Sequence, residues 1–337
     1  MNNDIIRFGV IGAGRIGKIH AENLAHLILG AKVAAIADVN FTAAQETATR
    51  LQIPTAVVDY TEILADPSLD AVAICSSTDT HARIVIDAAM AEKHIFCEKP
   101  IDHDLDKIDQ ALEAVEKAGV KLQIGFNRRF DPNFHKIHKM ITKGKIGNPH
   151  LLRITSRDPA PPPIDYIKVS GGIFLDMTCH DFDMARYLMG CEVEEIFVAG
   201  GVLVDPEIGK AGDIDTAIIV MRFENGAIGS IDNSRQAIYG YDQRVEVFGS
   251  GGMLAANNNT TDNNLYSNAD GVHSAKPLHF FLERYMESFI SEMQQFVSSL
   301  QNDTPPPVSG IDGRIPVLMA IAAKKSYLEK RPVRVFD

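Results

Sequence analysis

The sequence is poor in cysteine, has no long apolar run and carries no excess of positive charge. Its four cysteines are scattered with no C-x-x-C pair, which argues against a disulfide framework or a zinc site. No run of about 18 apolar residues exists, so a membrane-spanning helix is excluded. A net charge of −11 argues against nucleic acid or an anionic membrane surface as the partner.

The start of the chain also lacks the features of a secretory leader. A strand-like run, Ile5 to Ile11, begins without a basic segment, an apolar helix and a cleavage site before it. Together with the cysteine usage, this predicts a cytoplasmic location. A length of 337 residues exceeds one ordinary core and predicts two domains.

A glycine-rich motif follows this first run. Gly12-Ala13-Gly14-Arg15-Ile16-Gly17 lies between the strand-like run and a helical pattern. Gly12 makes a tight turn, Gly14 lets the backbone approach a pyrophosphate, and Gly17 permits close helix–strand packing. The motif predicts a dinucleotide site in which every motif residue except Ala13 contacts the cofactor.

An acidic residue ends the second strand-like run, Val33–Ala37. Asp38 stands 21 residues after Gly17, near the spacing expected for the carboxylate that binds the ribose diol of the adenosine. A carboxylate there repels a 2′-phosphate, and neither Val39 nor Asn40 offers a positive charge to receive one. The sequence therefore predicts NAD as the cofactor rather than NADP.

Strand-like and helical patterns alternate through the first half of the chain. Six strand-like runs, the last of them Val120–Gly125, predict a doubly wound parallel sheet. Three hydroxyl residues follow the run Ala71–Cys75 and are expected to line the cofactor's second phosphate and ribose: Ser76, Ser77 and Thr78. His81, in the first turn of the next helix, is a further candidate for cofactor binding, with a structural role as the alternative. Capping of the next helix by Thr78 or Asp79 is the alternative for these hydroxyl residues.

A charged pair ends the run His94–Cys97. Pro100 cannot donate a ladder hydrogen bond and keeps Lys99 out of helical angles, so the strand stops there. Ligands bind at this edge of an open α/β sheet. We expect Glu98 and Lys99 to lie at the cofactor and Lys99 to meet a substrate hydroxyl. The alternative is a surface salt bridge between the two.

The pattern changes after residue 125. Further strands are expected over 151–157, 193–203, 214–223, 227–235 and 243–249. The last four come without intervening helices, which favours an antiparallel sheet. A polar hairpin or loop over 257–268 and helices over 280–300 and 311–329 complete the pattern. We expect a dinucleotide-binding domain over 1–125 and an α+β domain over 126–337 for substrate and assembly, whose last helix can pack back on the first domain.

A second polar cluster opens a helix that is expected to continue to about Met189. Asp176 and His180 are four residues apart and would share one helical face, so the carboxylate can hold the imidazole ring. A metal site is the alternative, but no further His or Cys cluster completes one, so we expect none. A solvated structural pair is the other alternative. Asp181 and Asp183 are expected at the surface or in a cap.

Three motifs occur in a fixed order along the chain: the glycine motif Gly12–Gly17, the segment Glu98–Pro100, and the pair Asp176 and His180. With these motifs in this order, the chain resembles the glucose–fructose oxidoreductase-like (Gfo/Idh/MocA) family from end to end. Two stretches, Ser156–Pro159 and Ser170–Arg186, are most similar to the family's inositol dehydrogenases. The resemblance implies a catalytic set formed by Lys99, Asp176 and His180. It also implies homotetramers and three polyol contacts: Asn127, Asp158 and Tyr239, with Tyr241 as the alternative to the last.

The activity implied is NAD-dependent oxidation of a secondary alcohol of a cyclic polyol, with myo-inositol as the expected substrate. Scyllo-inositol or a pyranose is the alternative, and a sugar-sensing regulator that has lost the chemistry is another. His180 would take the hydroxyl proton while Lys99 stabilises the alkoxide. A charged 2-hydroxy acid would want an arginine clamp, which Arg129 and Arg157 could supply.

Overall fold

The structure is a computed structural model that describes residues Ile5–Phe336. The chain divides into two compact units, Met1–Phe130 with Glu287–Val317, and Asp131–Met286 with Leu318–Asp337. The boundary predicted after residue 125 stays a prediction, and the contact division places residues 287–317 with the first unit. Within Ile5–Phe336, no helix combines the length and apolarity needed to cross a membrane.

The first unit contains a six-stranded parallel sheet. Its strands are β1 (Ile6–Ile11), β2 (Ala31–Ala37), β3 (Thr55–Val57), β4 (Ala71–Ile74), β5 (His94–Glu98) and β6 (Leu122–Gly125). The order β3-β2-β1-β4-β5-β6 is that of a doubly wound dinucleotide-binding fold, which confirms the predicted class. The sequence pattern did not locate β3, because three residues are too short for a periodic signal.

Twelve α-helices complete the described chain. They are α1 (Arg15–His26), α2 (Phe41–Leu51), α3 (Tyr60–Leu64), α4 (Thr78–Met90), α5 (Leu105–Ala118), α6 (Pro132–Thr142), α7 (Ile164–Ile167), α8 (Cys179–Met189), α9 (Pro206–Lys210), α10 (Phe281–Arg284), α11 (Met286–Gln301) and α12 (Gly310–Glu329). Helix α11 is part of the first unit's core, where Met293, Phe296 and Val297 are buried with Phe8 and Phe96.

The second unit contains a seven-stranded mixed sheet. Its strands are β7 (Pro149–Arg157), β8 (Val193–Gly201), β9 (Thr216–Phe223), β10 (Ile228–Ser234), β11 (Asp242–Gly249), β12 (Gly252–Ala256) and β15 (Val333–Arg334). Only β7 and β10 pair in parallel, which confirms the mainly antiparallel prediction. The short helix α9 lies between β8 and β9, so the expectation of no intervening helix is wrong. Strands β13 (Leu265–Asn268) and β14 (Gly271–Ser274) form a separate hairpin.

Candidate active site

The turn between β1 and α1 has the geometry of a phosphate cradle. Gly12 has φ +105°, and a Cβ there would lie 2.5 Å from the Cys75 carbonyl oxygen. A Cβ on Gly17 would collide with the Gly12 carbonyl, whereas a Cβ on Gly14 would meet nothing within 4 Å in the described chain. The loop is thus closed toward the sheet and open at Gly14, so a pyrophosphate can approach the backbone and the N-terminus of α1.

The carboxylate of Asp38 is held in place at the end of β2. Its Oδ2 accepts a hydrogen bond from the Ala13 amide at 2.6 Å, and its Oδ1 accepts one from the Asn40 amide at 2.8 Å. The first contact ties the acidic residue to the glycine loop. A carboxylate fixed beside this loop suits a ribose diol, and the residues present therefore fit NAD.

His81 connects the ends of two strands. Its Nδ1 lies 2.8 Å from the Pro100 carbonyl oxygen and its Nε2 lies 3.0 Å from the Ser76 carbonyl oxygen. The ring is buried, and its contacts join the segment after β4 to the segment after β5. Ser77 is the N-cap residue of α4 and makes no side-chain cap, so the alternative of capping by Thr78 or Asp79 is wrong.

Glu98 ends β5 and contacts a residue that the sequence analysis did not single out. Its Oε1 lies 2.7 Å from Nε2 of His20, which is fully buried on α1. A Cβ on Gly125 would lie 3.1 Å from the Glu98 carboxyl carbon, so the glycine at the end of β6 makes room for this side chain. His20 follows Gly17 by three residues, a helical spacing that could have indicated a ring facing the sheet.

In the second unit, Asp176 lies in a π-helical turn, Phe174–Thr178, that leads into α8. The predicted α-helix is therefore replaced by a wider π-helical turn at this point. Such turns are frequent at functional sites. Tyr166 donates a hydrogen bond to Oδ1 of Asp176 at 2.8 Å, and Arg235 donates one to Oδ2 at 2.9 Å.

Arg235 was missed from the sequence because it is 59 residues from Asp176, and Tyr166, only 10 residues away, was missed because no motif links it to Asp176. Arg235 is 1% exposed and also lies 3.8 Å from Oδ2 of Asp213, so one buried cation serves two carboxylates. Tyr166 is 48% exposed, but desolvation around its hydroxyl, together with the Asp176 carboxylate, raises the pKa of the phenol, so the hydroxyl stays protonated as a hydrogen-bond donor. These two contacts orient the Asp176 carboxylate.

Asp181 and Asp183 are fully buried, so their predicted place at the surface or in a cap is wrong. Asn233 of β10 donates a hydrogen bond to Oδ2 of Asp181 at 2.9 Å and accepts one from Thr178 at 2.6 Å. The start of α8 thus faces the sheet, and a polar network supports it there.

The predicted polyol contacts fall in both units. Asn127 is buried in a 3₁₀ turn, Asn127–Phe130, of the first unit, whereas Asp158 follows β7 in the second. Tyr239 is 40% exposed and donates a hydrogen bond to Asp242 at 2.6 Å. Tyr241 is buried in an aromatic cluster, and both tyrosines precede β11 rather than lying on the strand.

The two arginines considered for an acid clamp already bind carboxylates. Arg129 donates a hydrogen bond to Asp312 at 2.9 Å. Arg157 binds both carboxylate oxygens of Asp232 and contacts the Tyr239 hydroxyl at 3.1 Å. This arrangement disfavours a charged 2-hydroxy acid as substrate.

Comparison with known proteins gives the same class as the fold and the glycine loop. Residues 6–126 match an oxidoreductase family with an NAD-binding Rossmann fold, and residues 134–255 match the GFO/IDH/MocA C-terminal domain. The myo-inositol 2-dehydrogenase of Thermotoga maritima is 54% identical over 98% of both chains. The inositol 2-dehydrogenase of Rhizobium meliloti is 44% identical over 98% of this chain and 99% of its own.

A solved structure matches this fold over nearly the whole length of the chain. The scyllo-inositol dehydrogenase of Lactobacillus casei, crystallised with NAD(H) and scyllo-inositol, has a TM-score of 0.92 at 31% identity. The match covers 99% of this chain and 100% of that chain. Fold and motif define this protein as an NAD-dependent oxidoreductase. The chain belongs to the GFO/IDH/MocA family, as its motifs predicted.

Proposed function

We propose that this protein oxidises myo-inositol to the corresponding inosose with NAD as the hydride acceptor. The observation that carries the proposal is the 54% identity, over nearly all of both chains, to an enzyme named myo-inositol 2-dehydrogenase. We assign cofactor binding to residues 1–125 and substrate binding and assembly to residues 126–337. The engagement of Arg129 and Arg157 by carboxylates supports a neutral polyol.

The proposed mechanism uses Lys99, Asp176 and His180. Neutral His180 removes the hydroxyl proton, Asp176 holds the imidazole and stabilises the imidazolium, and Lys99 stabilises the developing alkoxide. Bound NAD would supply the hydride acceptor for this oxidation. The hydrogen bonds from Tyr166 and Arg235 support this role for Asp176, because they restrict its carboxylate to one orientation.

Formation of NADH or NADPH with a panel of substrates and each of the two cofactors tests the proposal. We expect the highest kcat/KM with myo-inositol and NAD, a lower value with scyllo-inositol or glucose, and the lowest with NADP. Scyllo-inositol as the preferred substrate would favour the second candidate, which the likeness to the Lactobacillus casei enzyme supports. Tight NAD binding without turnover of any polyol would contradict dehydrogenase activity and favour a sensor.

We also propose that the protein assembles in the cytoplasm into a homotetramer through its seven-stranded sheet. Partly exposed apolar side chains lie side by side on one face of that sheet. Leu151 of β7 pairs with Ile228 of β10 and with Phe248 of β11, and Phe197 of β8 pairs with Val220 of β9. Exposed apolar side chains grouped on one face of a sheet, here interspersed with the ion pairs Arg153–Glu246 and Arg222–Glu195, are typical of a protein interface. Light scattering tests it, since Val220→Glu should yield smaller species.

A further inference from the structure

Three ionisable side chains meet inside the first unit and have no part in the proposed mechanism. His20 comes from α1, Glu98 from the end of β5 and Glu292 from α11. Nε2 of His20 lies 2.7 Å from Oε1 of Glu98 and 4.0 Å from Oε1 of Glu292. We call these three residues the buried triad.

Glu292 is the unusual member of the buried triad. Its side chain is 0% exposed, and neither carboxyl oxygen has a hydrogen-bond partner within Ile5–Phe336. The His20 ring beside it packs against Phe96 and Phe289, with centroids 4.9 and 5.7 Å away. An ionised carboxylate in such apolar surroundings is costly, and burial together with the Glu98 charge raises the pKa of Glu292.

The contacts indicate how protons are shared. Nδ1 of His20 has no hydrogen-bond partner in the described chain, whereas Nε2 contacts Glu98. A neutral imidazole with its proton on Nε2 fits, because an imidazolium would leave a buried N–H without an acceptor. The raised pKa of Glu292 adds one proton to the two carboxyl groups, so the buried triad as a whole carries one negative charge.

The position of Glu98 connects this charge to the cofactor. Glu98 immediately precedes Lys99 at the sheet edge where the nicotinamide of a dinucleotide is expected. The ring is positively charged in NAD⁺ and neutral in NADH, so only the oxidised cofactor favours the ionised triad.

We propose that His20, Glu98 and Glu292 form a buried proton-binding site that takes up a proton from solvent when NADH replaces NAD⁺. The proton adds to the Glu98–Glu292 pair, and the triad changes from one negative charge to none. This inference rests on the proposed dehydrogenase function only through its cofactor. It makes Glu292 a positioning residue that acts through Glu98 on the relative affinity for the two cofactor forms.

Other titratable groups near the triad are few. The thiols of Cys75 and Cys97 are buried beside Glu98, and burial raises the pKa of both, so they remain neutral. Lys99 follows Glu98 in the chain and belongs to the proposed catalytic set. An experiment must therefore separate the buried triad from the catalytic set.

The test is the binding of NAD⁺ and NADH alone to wild-type protein and to Glu292→Gln, by calorimetry from pH 6 to 9 in buffers of different ionisation enthalpy. In the wild type we expect the ratio of the two Kd values to change by about tenfold over this range, with net proton uptake on NADH binding. Glutamine keeps the shape of a neutral carboxylic acid but cannot ionise. Glu292→Gln should therefore lose most of this pH dependence.

Two controls decide the assignment. Ser288→Ala alters another fully buried side chain of α11 and should leave the pH dependence unchanged. The double variant Lys99→Met/His180→Asn removes two other titratable groups and should retain proton uptake, a result that does not require Glu292→Gln to fold.

Three results would overturn the proposal. They are wild-type pH dependence in Glu292→Gln, loss of proton uptake in the double variant, and a stoichiometric metal ion in the purified protein that Glu292→Gln lacks. The last matters because the same three residues lie close enough to hold a metal. None of these measurements uses inositol, so an incorrect substrate assignment would not affect them.

Discussion

The two units place their functional side chains by different physical means. In the first unit, backbone geometry decides: Gly12 has a positive φ, and Gly12 and Gly17 leave no room for a Cβ. In the second, side chains from other segments decide: Tyr166 and Arg235 hold Asp176, and Asn233 holds Asp181. Local backbone requirements can be recognised in the sequence as glycines at fixed spacing, whereas polar contacts between residues far apart in the chain cannot.

The largest effect is expected from the predicted base of the second unit. His180→Ala should lower kcat by ~10²–10⁴-fold, because no group would then accept the hydroxyl proton. NADH binding should be unchanged, since the glycine loop and Asp38 belong to the first unit. His273→Ala, an exposed histidine of β14, is the matched control. Full turnover by His180→Ala would end the assignment.

The next effect concerns the buried cation that holds Asp176. Arg235→Met should leave Asp176 and Asp213 without their shared partner and reduce the free energy of unfolding by about 3–5 kcal/mol. In the fraction that remains folded, kcat should fall by up to about 10²-fold while the KM for NAD is unchanged, because misplacement of Asp176 affects only the chemical step.

Arg235→Lys separates charge from geometry in this comparison. It restores the positive charge without the planar guanidinium, so we expect it to recover most of the stability but less of the kcat. Wild-type kcat in folded Arg235→Met, measured at saturating substrate, would show that the buried arginine has no influence on the reaction.

A smaller effect is expected in the first unit at Asp38. Replacing it with serine removes the repulsion of a 2′-phosphate of about 1–2 kcal/mol, so the preference for NAD over NADP should narrow by about 5- to 30-fold in kcat/KM. Asp106→Ser, at an exposed acidic residue of α5, should leave the preference unchanged. An unaltered ratio in Asp38→Ser would refute the contact with the adenosine ribose.

These differences explain how much the sequence could predict. The parallel sheet, the glycine loop and the mainly antiparallel second sheet were all predictable, because periodicity and glycine placement are local properties. The burial of Asp181 was not, because its partner Asn233 lies 52 residues away on β10. The role of Arg235 was likewise hidden, since nothing near it in the chain shows that its guanidinium is buried between two carboxylates.

The smallest effect is expected at Glu292. In the first unit this residue lies near His20 of α1, a contact between distant parts of the chain that the glycine motif does not indicate. The folded state raises the pKa of Glu292, so the unfolded chain ionises first as pH rises. Wild-type stability is therefore undiminished below the ordinary glutamate pKa of about 4.3 and is lost progressively as pH increases toward the folded-state pKa.

Glu292→Gln should lack this loss. Its melting temperature should match that of the wild type near pH 4 and exceed it by a few degrees near pH 8, as followed by thermal denaturation across the pH range. Ser288→Ala, at a buried neutral residue on the same helix, should shift the melting temperature equally at both pH values. A constant gap between Glu292→Gln and the wild type would mean that the fold does not raise the pKa of Glu292, and the buried triad would then have no part in the pH dependence of stability.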